Sequence, residues 1–265
     1  MVGVVADHPA YGQVRQVTST AAVLLADNPG KMTLEGTNTW ILRGPGSESC
    51  VVIDPGPRDR KHAERIAAVG PVELTLVTHR HFDHTAGLKR HVKLTKSPVR
   101  SVDPKFLDDS SEPLRDGEII EAAGLRIRVR ATPGHTADSV SFVLDDAVLT
   151  GDTILGRGTT VIDTRDGTLS DYLSSLELLA AEGAGKALLP AHGPDRPDTA
   201  DIAREYLAHR QQRLDQVRAA LAVLGPEAKP MQVVRHVYAD VDKKLWPAAR
   251  SSVKAQLEYL RGPHA

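Results

Sequence analysis

The segment Thr78-His79-Arg80-His81-Phe82-Asp83-His84 places four potential metal ligands within six consecutive positions. In an extended chain, residues two apart point in the same direction, so we expect His79 and His81 to converge on one cation. Asp83 and His84 follow where the chain turns into a predicted helix, and they can face a second cation beside the first. Neutral imidazole nitrogen and carboxylate oxygen are suitable ligands for Zn²⁺, Mn²⁺ or Fe²⁺.

The residues before position 200 alternate between short apolar runs and turn signals, a pattern typical of an α/β protein. Strands are predicted at Ala21–Ala26, Trp40–Leu42, Cys50–Ile53, Leu74–Thr78, Gly124–Arg130, Val140–Leu144 and Ala147–Leu149, the last two as a hairpin. Helices are predicted at Arg58–Ala68, Thr85–His91 and Ser170–Ala181, with Ser170 as the N-cap of the third.

Three later segments each offer one ligand at a tight turn near the end of a predicted strand. They are Thr132-Pro133-Gly134-His135, Thr150-Gly151-Asp152-Thr153 and Pro190-Ala191-His192-Gly193. Taken singly, each segment also fits an ordinary turn. Together with the first segment they supply seven ligands, enough for two metal sites that keep positions open for water.

This ordered set resembles the metallo-β-lactamase superfamily, whose members carry His-x-His-x-Asp-His followed by single His, Asp and His ligands. The resemblance covers most of residues 20–200. It implies a four-layer αββα sandwich with a centre for two divalent metal ions at one edge, of which Zn²⁺ is the expected ion and Mn²⁺ or Fe the alternatives. By this resemblance, one metal is held by His79, His81 and His135, the other by Asp83, His84 and His192, and Asp152 bridges them.

The resemblance also assigns roles beyond the ligands. The strand Val51–Ile53 ends in Asp54-Pro55-Gly56, which matches an early strand of the superfamily, so Asp54 is expected to orient a ligand. Asp54 is equally compatible with a simple turn residue. Hydroxide bridging the two metals is expected to attack the substrate. We expect Asp152 to hold the metal pair and Asp83 to accept a proton, which makes both catalytic residues.

A closer resemblance is to the β-lactamase-like protein 2 branch of the superfamily. It rests on Leu34–Thr39, Gly151–Val161, Leu169–Leu178 and a helical end that looks like a winged helix. This branch includes an endoribonuclease selective for single-stranded RNA, while some similar proteins are thioesterases acting on carrier-bound acyl chains. Antibiotic-hydrolysing members often have Cys at the bridging position, where this chain has Asp152, so true β-lactamase activity is disfavoured.

The character of the chain changes near residue 200. Helices are predicted at Asp201–Leu224, Met231–Tyr238 and Trp246–Arg261, and this tail carries a net charge of +4. We therefore predict a catalytic domain over residues 1–200 and a helical, winged-helix-like domain over residues 201–265. Arg210, Arg213 and Arg218 recur at helical spacing, which favours a solvated helix face, with contact to a nucleic-acid backbone as the alternative.

Four polar residues are candidate substrate contacts. Arg157, Thr159 and Thr160 lie in a small, polar segment after Asp152, where they can meet phosphate oxygens or simply form a solvated loop. Asn38 is the fourth candidate. Aromatic residues make up only 4% of the chain and are scattered, so no stacking platform for bases is evident.

Composition limits the remaining choices. The net charge of −1 excludes a global field for nucleic acid or membranes, and no apolar run approaches the length of a bilayer span. Met1–Ala10 lacks a signal pattern and the chain has one cysteine, which favours a cytoplasmic location.

The leading hypothesis for the function is a zinc-type hydrolase that cleaves single-stranded RNA. The alternatives are a thioesterase or glyoxalase II-like hydrolase of small esters, and a nucleic-acid-binding module with a structural metal site; the tail also suits homodimerisation.

Overall fold

Two β-sheets packed face to face form the centre of the molecule. The computed structural model describes residues 11–108, 111–163, 165–240 and 242–262, so Met1–Ala10, where the sequence shows no signal pattern, lie outside the described residues. The first sheet has six strands in the order β1-β2-β3-β4-β5-β6. Its strands are β1 (Val14–Gln16), β2 (Ala21–Leu25), β3 (Asn38–Leu42), β4 (Cys50–Ile53), β5 (Val72–Leu76) and β6 (Val99–Arg100).

The second sheet has five strands in the order β11-β10-β9-β8-β7. Its outermost pair, β10 and β11, is parallel, and the other neighbours are antiparallel, including the predicted hairpin of β9 and β10. The strands are β7 (Ile119–Ala122), β8 (Leu125–Ala131), β9 (Val140–Val143), β10 (Ala147–Gly151) and β11 (Ala187–Pro190).

Helices cover the outer face of each sheet and complete the predicted four-layer αββα sandwich. In β4, Val51 and Ile53 face the second sheet, whereas Cys50 and Val52 pack with Ile66 of helix α1 (Arg60–Ala67). All four residues of β4 are buried because both faces of the strand are covered. The second sheet is covered by α4 (Leu169–Glu182) and by the first part of α5 (Thr199–Leu224).

The predicted helix Thr85–His91 is wrong in its bounds, because the chain forms two helices here, α2 (Phe82–Thr85) and α3 (Leu88–Thr95). Gly87 lies at the break, where its backbone N–H bonds to the Gly56 carbonyl at 2.9 Å. A Cβ at position 87 would lie 2.9 Å from that same oxygen. The loop after β4 therefore packs closely against the backbone at Gly87, between the end of α2 and the start of α3.

The chain ends in a helical unit that includes α6 (Pro230–Val237) and α7 (Trp246–Arg261). Helix α5 belongs to two cores, because Tyr206 and Leu214 pack with α4 whereas Val217 and Ala220 pack with α6 and α7. The predicted boundary near residue 200 stays a prediction. Among the helices of the described ranges, none has the length and apolarity to cross a bilayer.

Two buried histidines near the first sheet predict acid destabilisation. His62 bonds to the Thr39 hydroxyl and His91 to the Thr75 hydroxyl, each at 2.8 Å. Burial lowers the pKa of both histidines to about 4. Because the unfolded chain takes up these protons near pH 6.5, the free energy of unfolding should be at its full value above that pH. It should fall as the pH drops towards 4, by about 2 kcal/mol per histidine at pH 5.

Urea unfolding of metal-stripped protein at pH 7.5 and pH 5 measures this effect. The variant His91→Gln keeps a hydrogen-bonding group but cannot titrate, so acidification should destabilise it about 2 kcal/mol less than the original protein. An equal loss in both proteins would contradict the assignment.

Candidate metal centre

The predicted ligands lie in loops at the ends of strands from both sheets. The chain leaves β5 into the segment that holds His79, His81, Asp83 and His84. Strands β8, β10 and β11 of the second sheet lead to the other three ligands. At this shared edge the side chains form two adjoining clusters: His79, His81, His135 and Asp152, and Asp83, His84 and His192.

The first cluster contains three imidazoles and one carboxylate oxygen. His81 Nδ1 lies 3.1 Å from His79 Nε2 and 3.0 Å from His135 Nε2. Asp152 Oδ2 lies 3.5 Å from His135 Nε2 and 3.9 Å from His79 Nε2. One nitrogen of each ring and one carboxylate oxygen thus converge on a common point.

The second cluster uses the other oxygen of the same aspartate. Asp152 Oδ1 lies 3.6 Å from His84 Nε2 and 3.4 Å from His192 Nε2. Asp83 Oδ2 lies 3.3 Å and 3.2 Å from the same two nitrogens. Asp152 therefore directs one oxygen at each cluster, which is the arrangement of a bridging carboxylate.

These separations fit metal ions. Bonds of about 2.0–2.1 Å at tetrahedral angles place neighbouring ligand atoms roughly 3.3 Å apart. Within the described part of the chain, His84 Nε2 and Asp152 Oδ1 are buried and have no hydrogen-bond partner. A buried polar atom without a partner is costly, and a bound cation would satisfy both atoms. The residues therefore fit a centre for two divalent cations.

Each histidine of the centre also engages a partner with its second ring nitrogen, which fixes the ring orientation and the tautomer. These partners are the Thr78 hydroxyl for His79 at 3.0 Å, Asp163 for His81 at 3.3 Å, Asp54 for His84 at 2.8 Å, the Val161 carbonyl for His135 at 2.6 Å and the Gly36 carbonyl for His192 at 3.0 Å.

Asp54 contacts both Thr78 and the candidate ligand His84, and its orienting role stays a prediction. Its Oδ1 accepts from the Thr78 backbone N–H at 2.8 Å, and its Oδ2 accepts from the Thr78 hydroxyl at 2.6 Å and from His84 Nδ1. Asp54 is buried and has a φ of 52°, a conformation that Asp tolerates better than most residues. Its backbone turns sharply after β4 so that the carboxylate points at the ligand segment.

The protonation of the centre favours cation binding at the first cluster. Burial lowers the pKa of His79 and of His135, so both rings keep a free lone pair at neutral pH. Burial also lowers the pKa of His192, but the Asp152 carboxylate outweighs it and raises the pKa to about 10. A cation that binds at the second cluster must therefore displace a proton from His192.

The candidate substrate contacts divide into two groups. Asn38 and Thr160 are buried and their donors are engaged: the Asn38 amide donates to the Pro190 and Gly193 carbonyls, and the Thr160 hydroxyl to the Asp152 carbonyl at 2.9 Å. Both side chains hold the loops of the centre in place, which differs from the predicted substrate contact.

Arg157 and Thr159 lie nearer the surface. The Arg157 guanidinium forms a bidentate pair with Glu35, and Thr159 is exposed. Arg157 thus joins the loop after β10 to the loop before β3, and the Glu35 carboxylate compensates its positive charge. Contact between Thr159 and a substrate stays a prediction.

The predicted solvated face of α5 is wrong for Arg210. Its side chain is buried, the guanidinium lies 4.9 Å from the Tyr172 ring centroid, and Nη2 donates to the Thr160 carbonyl. Arg218 is exposed and pairs with Asp215, as a solvated face requires. Helical spacing alone did not separate these arginines because the packing of α5 on α4 sets which side is covered.

Two further residues were not predicted. Asp163 joins His81 to Arg80, whose guanidinium also pairs with Asp138 and Asp166. Asp163 lies 82 positions from His81, and nothing in its local sequence indicates this contact.

The second residue is Phe82, which is 72% exposed although both of its neighbours belong to the metal clusters. Its place between two ligands could have marked it as a residue at the mouth of the site.

Comparisons with known proteins agree with this geometry. Residues 32–192 match the model of the metallo-beta-lactamase superfamily, and residues 230–261 match that of the beta-lactamase associated winged helix domain. The chain is 32% identical to "Beta-lactamase-like protein 2 homolog" of Drosophila melanogaster, over 93% of this chain and 89% of that protein. An atrochrysone carboxyl ACP thioesterase of a Cryptosporiopsis species is 31% identical over 84% of this chain and 67% of its own.

A solved beta-lactamase domain protein from Burkholderia ambifaria has the same fold, with a TM-score of 0.76 and 20% identity over 96% of this chain and 90% of that one. The chain belongs to the metallo-β-lactamase superfamily, whose members are generally metal-dependent hydrolases. Within the superfamily it falls in the branch of the β-lactamase-like protein 2 homologues. The protein is thus an enzyme of the hydrolase class, and the alternative of a binding module with a structural metal is set aside.

Proposed function

We propose that this protein is a metal-dependent endonuclease that hydrolyses phosphodiester bonds in single-stranded RNA. The observation that carries the proposal is the shared carboxylate of Asp152, which faces three ligands of one cluster and two of the other. Two bound divalent cations would supply Lewis acidity to the scissile group and lower the pKa of a water molecule.

The chain's own residues define how the substrate approaches. The side chains of His81 and Asp83 are each 25% exposed, whereas the other ligands are almost covered, so the centre opens on that side. Asp83 Oδ2 accepts from Thr37 Oγ1 at 3.1 Å and faces His84 and His192. We infer that Asp83 Oδ1 is the oxygen that accepts a proton from the attacking water.

Two features support RNA as the substrate. Phe82 stands exposed between His81 and Asp83, where its ring can stack on a base next to the scissile phosphate. The C-terminal helical unit exposes basic side chains, among them Lys243, Lys244 and Arg250, which can meet phosphate oxygens.

The buried position of Cys50, the single cysteine, is consistent with a reducing compartment, and we propose a cytoplasmic location.

A thioesterase is the second candidate, and the similarity to an acyl carrier protein thioesterase favours it. The arginines beside the centre also agree with an uncharged substrate, because Arg157 pairs with Glu35, and Arg80 with the three aspartates around it. An acyl thioester requires no free cation at this position, and its carbonyl is open to the same hydrolytic attack.

The experiment that separates the candidates uses purified protein loaded with Zn²⁺. It is incubated with end-labelled single-stranded RNA and, separately, with an acyl thioester. RNA cleavage that disappears with a chelator and returns with Zn²⁺ supports the endonuclease. Thioester turnover without RNA cleavage would overturn it in favour of the second candidate.

The exposed ring of Phe82 predicts a loss of RNA affinity on truncation. Phe82→Ala is expected to raise the KM for RNA roughly tenfold, because the loss of one stacked base removes about 1–3 kcal/mol, while kcat changes little. Steady-state kinetics measure the change, and Phe82→Trp, which keeps a stacking surface, is the matched control. Equal KM values for the alanine variant and the original protein would show that no base rests on this ring.

A further inference from the structure

One loop contains one of the seven candidate ligands and contacts two others. Residues 152–161 begin with Asp152 itself and end at Val161, whose carbonyl accepts the hydrogen bond from His135 Nδ1. In between, the Gly156 backbone N–H donates to the His192 carbonyl at 2.9 Å. The conformation of this loop therefore sets the positions of ligands in both clusters.

Side chains from α4 and α5 hold the loop from behind. The Tyr172 hydroxyl donates to the Thr153 carbonyl at 2.8 Å, and the Tyr206 hydroxyl contacts both the N–H and the carbonyl of Leu155 at 3.2 Å. Arg210 lies one helical turn after Tyr206 on α5 and donates to the Thr160 carbonyl. Thr160 in turn donates its hydroxyl to the Asp152 carbonyl at 2.9 Å.

The burial of Arg210 is unusual for a charged side chain. It is 6% exposed, and no carboxylate in the described ranges lies within ion-pairing distance of its guanidinium. Burying an unpaired charge opposes folding, and an apolar residue of similar volume is often at least as stabilising in such a place. The Tyr172 ring at 4.9 Å and the Thr160 carbonyl offset only part of this cost. Stability of the α4–α5 contact alone does not explain an arginine here.

We propose that Arg210 is a positioning residue for the metal centre, which it serves by fixing the Thr160 end of the loop 152–161. Its contacts act on Asp152 through the Thr160 hydroxyl and on His135 through the adjoining Val161 carbonyl. The proposal rests on metal binding at the seven ligands but not on the identity of the substrate. It also places the long helix α5 among the elements that the metal centre requires.

The test is a titration of the full chain with Zn²⁺ in competition with a chromophoric chelator, together with thermal unfolding of the metal-free protein. Arg210→Met, which keeps the volume and the apolar stem, is expected to bind Zn²⁺ roughly tenfold more weakly, in the range found for groups that orient metal ligands. Its metal-free Tm is expected to stay close to that of the original protein. Arg204→Gln, at an exposed position in the first part of α5, is the matched control and should bind Zn²⁺ normally.

Unchanged Zn²⁺ affinity in a folded Arg210→Met protein would overturn the proposal, as would an equal loss in Arg204→Gln. If the methionine variant does not fold, Arg210→Lys and Tyr172→Phe make the comparison, because each removes one contact of the loop and keeps most of the packing. Normal Zn²⁺ affinity in both of these would overturn it as well. Because the readout is metal affinity, a failed RNA assay would leave this result unaffected.

Discussion

Replacement of Asp152 by asparagine is expected to lower the bound Zn²⁺ to about one ion per chain or less and to reduce hydrolysis by roughly a thousandfold or more. The amide has the size of the carboxylate but no charge, and only its oxygen can bind a cation. One of the two clusters would then face an NH₂ group at the position where Asp152 now directs an oxygen at His84 or at His135.

Metal analysis of the dialysed variant and single-turnover kinetics measure the two effects. Asp145→Asn makes the same chemical change at an exposed position in the turn between β9 and β10, and it should leave metal content and rate unchanged. Two tightly bound ions and near-normal hydrolysis in the Asp152 variant would mean that this carboxylate does not bridge the clusters.

Removal of the Asp54 carboxylate is expected to destabilise the protein by about 3–5 kcal/mol, the range observed when one partner of a buried charged pair is deleted. Asp54→Ala leaves the Thr78 hydroxyl, the Thr78 N–H and His84 Nδ1 without their acceptor. Alanine also disfavours the φ of 52° at this position. Because His84 is no longer held, Zn²⁺ affinity should fall by about 10- to 100-fold.

Urea unfolding of the metal-free protein and the Zn²⁺ competition titration report the two losses separately. Asp54→Asn tolerates the same backbone conformation and should lose less stability than the alanine variant. Asp240→Ala, at an exposed position beyond α6, should be nearly neutral in both measurements. A stable Asp54→Ala protein that binds Zn²⁺ normally would contradict the orienting role.

The layers of the fold followed from the pattern of apolar residues, because β2 and β4 are covered on both faces and are apolar throughout. Helix ends were less accurate. The predicted N-cap Ser170 lies inside α4, which Thr168 caps with its hydroxyl on the Asp171 N–H. Both residues are good caps, and packing on the second sheet, which a local pattern does not contain, determined which of them ends the helix.

The clustering of the seven candidate ligands could be predicted because they lie at the ends of strands and in a fixed order along the chain. Roles that depend on distant partners could not. Asn38 and Thr160 are polar residues near the centre, yet both face inward to backbone carbonyls. Likewise, Asp163 and Arg210 contact residues that are 82 and 50 positions away along the chain. The local sequence pattern does not indicate contacts at such separations.

The distribution of the ligands between the two sheets has a consequence for folding. His79, His81, Asp83 and His84 follow the first sheet, whereas His135, Asp152 and His192 come from the second. Neither half alone can complete a coordination sphere, so tight metal binding must come after the halves have docked. A bound ion would then act as a cross-link between them and stabilise the docked halves by a free energy that grows with the logarithm of the free metal concentration.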